Sequence, residues 1–397
     1  MINLLLSMIR RKLQSMDKWS VINRSLFLMN LCGVHPGKVG SKVQLGVFLF
    51  LIVNFSITTY WMAMFFVVKE EKDFNMFVMS LANVLCTVHA ILYLSCLYVQ
   101  RPSIMQLLTE MREKFWEIDI YTDKALIENY QSSLDKVQMK YALFCFIMFY
   151  TALTYLYWRI LTDQRPIGDN LLFESYVPEG MSFWFLLAWQ HIPAGALISI
   201  EMAMDFLICS ILSLSAQQYR LLRYEMERVF GTLEKKGDSE ENISKRIRRC
   251  NDQLTFLLSF RNTLNEAFSY LMLAYIGVVV LILCFEVYLL FQMDSIEHII
   301  KILAYSGFIF FEFFVCYCYP AQDLTVDAEQ LANSIYFSEW YKYPNHCKEI
   351  LMLVGKSQIR VVFTAGGLLE LDLPTGMAAI KTMFSYSMFL RTMTMIE

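Results

Sequence analysis

The chain has 397 residues, 56% of them hydrophobic and 18% charged, against about 45–50% and about 25% in soluble domains. So few charges cannot cover a soluble surface, so much of the chain must face lipid, and the sequence reads as an all-α polytopic membrane protein. A net charge of −3 leaves no basic excess for nucleic acid, and the apolar content excludes disorder.

The chain opens with an apolar run, Met1–Met8, followed by Arg10, Arg11 and Lys12. That reverses the order of a signal peptide and suggests an interfacial or cytosolic helix. Seven runs are long enough to cross about 30 Å of hydrocarbon: Val43–Val68, Phe74–Val99, Val137–Leu161, Phe183–Leu212, Ala267–Phe291, Ile299–Tyr319 and Pro374–Met395. The last is the least apolar, because it carries Lys381 and Arg391. The fourth holds Glu201 and Asp205, so its inner end is expected to leave the bilayer.

Lys and Arg number 7 in residues 1–42, 5 in 100–136, 10 in 213–266 and 4 in 320–373. The alternate loops 69–73, 162–182 and 292–298 hold 2, 1 and 0. This asymmetry predicts seven transmembrane helices with the N-terminus cytosolic and the C-terminus extracellular. The usual G-protein-coupled receptor has the opposite orientation. None of the ten Cys and none of the N-x-S/T sequons (Asn23, Asn54, Asn242) falls in an expected outer loop.

No P-loop, H-E-x-x-H, G-x-S-x-G or C-x-x-C pattern occurs. Cys316 and Cys318 lie C-x-C in an apolar helix without a nearby His, and the five His are scattered. No catalytic residue, metal site or cofactor is expected, and the chain does not read as an enzyme. Glu201 and Asp205, four residues apart, are either a proton or cation site or carboxylates near the inner interface. Glu286 and Glu312 lie deeper, either facing a water-filled cavity or pairing with Lys140 or Lys301.

In the third span Tyr150, Thr154, Tyr157 and Trp158 fall on one helical stripe. The stripe suits either a pocket for a small, mostly apolar ligand or an aromatic belt at the outer interface. The fourth span adds Leu187, Gln190 and His191 just before Pro193, where a kink is expected, and the sixth adds Tyr305 and Phe308. In the seventh span Ser385, Phe389 and Thr392 share a stripe. A pore lined by such helices would have an apolar ring at Phe389 that closes by dewetting. Ordinary helix packing is the competing account.

The carboxyl-terminal hundred residues resemble insect odorant receptors. Ala332-Asn333-Ser334-Ile335-Tyr336 with Glu339-Trp340-Tyr341 is similar to their A-x-x-x-Y-x-x-x-W stretch. The segment His346–Phe363, then Ala365-Gly366-Gly367 and the closing Ser385-Tyr386-Ser387, follows the family's order. The related gustatory receptors usually close with T-Y-x5-Q-F, which Ser385–Met393 lacks. One departure is Pro320, where the family more often has Gly. The resemblance implies a ligand-gated, non-selective cation channel in the plasma membrane of olfactory sensory neurons, opened by small volatile molecules. Helices two, three, four and six would enclose the odorant site in the outer leaflet, with Phe389 as the apolar gate and Thr392 a polar lining position. Residues 213–266 are too few for the long insertion of the odorant co-receptor. A ligand-specific tuning subunit, assembled with that co-receptor as a heterotetramer, is therefore expected. The implied organisation is a cytosolic segment 1–42, six helices enclosing a ligand pocket in 43–319, cytosolic anchor helices in 320–373 (helix-like at Ala328–Phe337 and Lys348–Val362), and a pore helix with extracellular end in 374–397. The alternatives are a gustatory-type channel or a proton-coupled secondary transporter, against which the odd span count and missing repeat symmetry weigh.

Orientation is directly testable. An epitope tag on the amino terminus should be inaccessible in intact cells and one after Glu397 accessible; surface labelling of the amino-terminal tag would reverse the topology.

Overall fold

The computed structural model describes residues 20–68, 74–116, 124–162, 171–231, 240–292 and 296–394. The run Met1–Met8, the connection 69–73 and Met395 lie outside them. The helices are α1 (Ser20–Leu31), α2 (Lys42–Val68), α3 (Phe74–Lys114), α4 (Lys124–Thr162), α5 (Phe183–Gly231) and α6 (Glu240–Gln292). They continue with α7 (Ile296–Glu312), α8 (Tyr319–Phe337), α9 (Cys347–Ser357) and α10 (Leu373–Thr394). A two-stranded antiparallel hairpin, β1 (Thr364–Ala365) with β2 (Leu369–Glu370), precedes α10.

Among the described residues six helices are long and apolar enough to cross a membrane. They fall where the first six runs were expected, because only a helix satisfies its own backbone in hydrocarbon. α10 is long enough at 22 residues, but Lys381, Arg391 and its hydroxyls keep it below the same apolarity. α5 runs without a break through Pro193 and on to Gly231, beyond its expected inner limit at Leu212. All ten cysteines are free thiols. Burial pushes the Cys32 thiol, near the end of α1, up to about 12, so it stays protonated and unreactive at neutral pH.

The chain divides into two compact units. The first comprises Met1–Glu70, Ala90–Tyr98 and Asp123–Ser210. Within it α1 docks on α4 and α5 through a buried cluster of Val21, Leu134 and Cys209. Arg24 pairs with Asp135 at 2.5 Å and reaches the Gln138 oxygen at 3.3 Å. The Gln138 amide donates to Ser210 Oγ at 2.8 Å, and Ser25 Oγ donates to the Ala203 carbonyl at 2.7 Å. Each partner is a polar group that apolar packing alone would leave unsatisfied.

The second unit comprises Glu71–His89, Val99–Thr122 and Ile211–Glu397. The sixth span is a composite: after α7 the backbone widens into a π-helix over Phe313–Cys318, then resumes as α8. Tyr319 N–H bonds to the Phe314 carbonyl, five residues back. The physical reason lies next door, since Pro320 has no N–H to give and its ring crowds the preceding turn of a regular helix. α8 is tied to α5 by Arg220, which bonds Asp327 at 2.5 Å and Asp323 at 3.2 Å. Arg246 of α6 bonds Glu225 of α5 at 3.0 Å. In the A-x-x-x-Y-x-x-x-W stretch, Trp340 Nε1–H donates to the Tyr336 carbonyl at 3.1 Å, occupying an acceptor left open at the end of α8.

The expected helices of 320–373 need correction at both positions. α8 begins earlier, at Tyr319, and α9 stops at Ser357 instead of continuing to Val362. Val361, Phe363 and Ala365 are buried at every second position, a period of two that suits extended chain. The hairpin that follows is bolted to α6. Asn265 Oδ1 accepts the Thr364 N–H at 2.9 Å, and its amide donates to the Val362 carbonyl at 3.1 Å. The Gly366 N–H donates to the Ser269 carbonyl at 2.8 Å, and the Gly367 N–H to Ser269 Oγ at 3.0 Å.

Gly366 has φ +64°, and a Cβ there would stand 2.5 Å from Leu273 Cδ2; Gly367 has φ +69° with open space around it. Gly367→Ala should therefore lose only about 1–2 kcal/mol from the left-handed backbone. Gly366→Ala should lose that plus an overpacking cost of about 1–3 kcal/mol. Thermal unfolding of the detergent-solubilised protein measures the difference, and equal losses would disprove the close approach to Leu273.

Candidate functional site

The residues singled out in the third and fourth spans all lie in the first unit. On α4, Tyr150, Thr154, Tyr157 and Trp158 form one exposed stripe in the isolated chain. Thr154 Oγ1 donates to the Tyr150 carbonyl at 2.7 Å, which seats its hydroxyl against its own helix. Tyr157 reaches across to α5, where its hydroxyl lies 3.1 Å from His191 Nε2. His191 Nδ1 lies 2.7 Å from the Leu187 carbonyl, which can only accept. Nδ1 therefore carries a proton, and in the neutral ring Nε2 accepts from the Tyr157 hydroxyl. The pair presents an amphipathic surface of two rings with a hydrogen-bonded centre.

Leu187 is buried with Leu156, Leu171 and Leu186, and Trp61 of α2 packs against this cluster. Gln190 is fully buried, and its carboxamide is engaged at both ends. Its oxygen accepts the Phe173 N–H at 3.0 Å, and its amide donates to the Phe173 carbonyl and Ser175 Oγ, each at 3.0 Å. Lower in the same unit Tyr141 donates to Asp205 at 2.6 Å, which gives a carboxyl group with no exposed surface a hydrogen-bond partner.

Tyr305 and Phe308 lie on α7, in the second unit. The Tyr305 hydroxyl is 2.9 Å from Cys86 Sγ on α3, and both side chains are half-buried. Deeper on α7, Glu312 accepts from the Tyr275 hydroxyl at 3.0 Å. The Tyr275 ring lies 4.8 Å from that of Tyr317 and 5.7 Å from that of His89. This aromatic and carboxylate cluster was not foreseen, because its members are far apart in the chain. Its one local signal was Glu312 inside an apolar run.

α10 packs on α6 with a narrow face. Met383 and Ser387 are buried, and Leu390 joins a cluster with Val78, Tyr288, Leu289 and Ile302. The Arg391 guanidinium lies over the Phe291 ring at 5.2 Å, a cation–π contact that shelters its charge. At about 100° per residue, Ser385, Phe389 and Thr392 stand opposite Ser387, and all three are exposed. Among the described residues no group of His, Cys, Asp and Glu can hold a metal ion.

The fold is that of known receptors. The structure of the insect olfactory receptor OR5 from Machilis hrabei in complex with eugenol superposes with a TM-score of 0.75 at 14% identity, covering 95% of this chain and 98% of that one. A second structure of the same receptor gives 0.67 at 14% identity, over 88% and 90% of the two chains. No curated protein matches the chain by sequence. The family model for the 7tm odorant receptor matches residues 73–384, most of the chain and all of α3 to α9. The motif resemblance in the carboxyl-terminal hundred residues, the multi-pass helical fold and the family match converge: this chain belongs to the 7tm odorant receptor family, membrane receptors of olfaction and not enzymes.

Proposed function

We propose that the chain is the ligand-specific subunit of a ligand-gated, non-selective cation channel, assembled as a heterotetramer with an odorant co-receptor in the plasma membrane of olfactory sensory neurons. The observation that carries this reading is the two-faced α10. One face is packed on α6, and the opposite face offers Ser385, Phe389 and Thr392, an exposed phenylalanine between hydroxyls that is not buried against the described residues. Four copies or near-copies of that face around an axis give a hydroxyl-lined pore narrowed by an apolar ring. The short stretch between α5 and α6 supports the tuning role over that of co-receptor. The N-terminus is cytosolic in this reading, residues 1–42 form a cytosolic segment, and 320–373 form the anchor on which subunits assemble.

The ligand is a small volatile, mostly apolar molecule, in keeping with the eugenol complex of the similar receptor. Tyr157 and His191 meet it with ring faces and one shared proton, and Tyr150, Thr154 and Trp158 extend the same surface. Current that appears within milliseconds of odorant application, without added GTP, in cells expressing this chain and a co-receptor is the primary test. A response that requires GTP would assign the chain to metabotropic signalling.

Trp158→Ala should shift the half-maximal odorant concentration by about tenfold. Losing some 60 Å² of apolar contact at about 25 cal/mol per Å² costs about 1.5 kcal/mol. Tyr305→Ala tests the α7 expectation independently. Surface expression and co-receptor-dependent leak should stay constant in both. Unchanged dose–response curves for both variants would make the α4 stripe an interfacial belt.

At the pore, Phe389→Ala should raise ligand-independent current, and Thr392→Asp should alter cation permeability ratios. If resting conductance and permeability both hold, this stripe does not line the pore.

A further inference from the structure

α10 carries two cations, Lys381 and Arg391, and the chain treats them differently. Arg391 is half-buried, and its guanidinium lies over the Phe291 ring of α6 at 5.2 Å. Lys381 is exposed, and among the described residues no hydrogen bond, ion pair or ring contact holds its ammonium. At about 100° per residue, Arg391 stands about 40° around the helix from the buried Ser387 and about 120° from Ser385. Lys381 stands about 40° from Ser385 and about 160° from the buried Met383. One cation therefore turns to the packed side of the helix, and the other joins the open stripe of Ser385, Phe389 and Thr392.

We infer that Lys381 sets a fixed positive charge on the wall of the pore, on the hairpin side of Phe389, and that this charge lowers the passage of divalent cations relative to monovalent ones. The inference rests on the reading of α10 as the pore helix. An ammonium at membrane depth needs water or a counter-ion, and the described residues supply no counter-ion. Hydrocarbon cannot meet that need, whereas a water-filled lumen can. At 1.5 Å per residue Lys381 precedes Phe389 by about 12 Å along the helix axis, so the charge stands in the vestibule before the apolar ring and does not plug it. Coulomb repulsion scales with the charge of the passing ion. At a closest approach of about 4–8 Å through water, one ammonium disfavours a monovalent cation about two- to fivefold. A divalent cation meets twice the energy, so it is disfavoured by the square of that factor. Selectivity between the two shifts by about the factor itself, and monovalent conduction survives.

Sodium and calcium ions are the probes. Current is evoked with an odour panel that includes eugenol, in cells expressing this chain with a co-receptor, and the reversal potential is read as external Na+ is replaced by Ca2+. Lys381→Gln should raise the calcium-to-sodium permeability ratio about two- to fivefold, Lys381→Glu should raise it further, and Lys381→Arg should hold it at the unsubstituted value. A purely structural role would change current amplitude in all three without ordering the ratio by charge. Lys381→Cys makes the same comparison within one folded protein, should the other variants fail to reach the surface. In inside-out patches with odorant in the pipette, a cationic methanethiosulfonate on the cytosolic face should lower the ratio of this variant, and an anionic one should raise it. Neither reagent should move the ratio of the unsubstituted receptor, with its ten native thiols. Evoked currents whose ratio ignores the charge at position 381 would overturn the inference and leave the channel reading intact. No evoked current from unsubstituted receptor present at the surface would overturn the channel reading and the inference with it.

Discussion

Hydrocarbon offers no hydrogen-bond partner, and the whole chain is organised around that lack. It dictates helices for the backbone, and it dictates what a buried side chain may be. Several of the long polar side chains that enter the interior have partners there. Gln138 links Arg24 to Ser210, Gln190 engages Phe173 and Ser175, and Asp205 and Glu312 each take a tyrosine hydroxyl. These bonds are specific in a way that Leu and Phe contacts are not. They fix which face of a helix meets which neighbour, in a protein whose apolar residues would be nearly as content against lipid.

The same logic shapes α6. Asn251, Asn265 and Ser269 lie within one narrow stripe of the helix, and each holds a different part of the segment that follows α8. Lys356 of α9 donates to Asn251, Val362 and Thr364 bond to Asn265, and Gly366 and Gly367 bond to Ser269. α6 thus acts as a measured rail along which α9, the hairpin and finally α10 are set in order. The close approach of Gly366 to Leu273 marks the tight point of that docking.

Six spans were legible because each is a long apolar run, and length against bilayer thickness is a strong signal. The polarity of α10 was legible for the same reason. The π-helical turn was not, although Pro320 stood out as a departure, because a proline marks where a regular helix is disturbed and not how the chain relieves it. The extended stretch after Ser357 was misread as helix. Its residues are apolar enough for either, and the alternation Val361, Phe363, Ala365 spans too few positions to outweigh a preceding helix. Gln190 and His191 drew notice as polar residues in a span, but only the fold separates them. One turns to a loop backbone and its neighbour to Tyr157. Sequence spacing orders residues within a helix, whereas hydrogen-bond partners depend on helix rotations that no single helix contains.

The hairpin also bears on how the chain is made. Leu373, the first residue of α10, lies three residues beyond the last strand residue, Glu370, so α10 leaves the ribosome directly after the hairpin. As the pore helix proposed above, with Lys381 and Arg391 aboard, it would insert into the bilayer only weakly; either cation at mid-membrane costs about 2.5–3.5 kcal/mol on the insertion scale. By that stage α6 is already synthesised, and Asn265 and Ser269 stand ready to receive the hairpin. Docking holds the start of α10 against finished protein, raising its effective concentration at the surface where Met383, Ser387 and Leu390 will pack. A helix too polar to be placed by lipid alone would in this way be held at its site by a tether of two short strands.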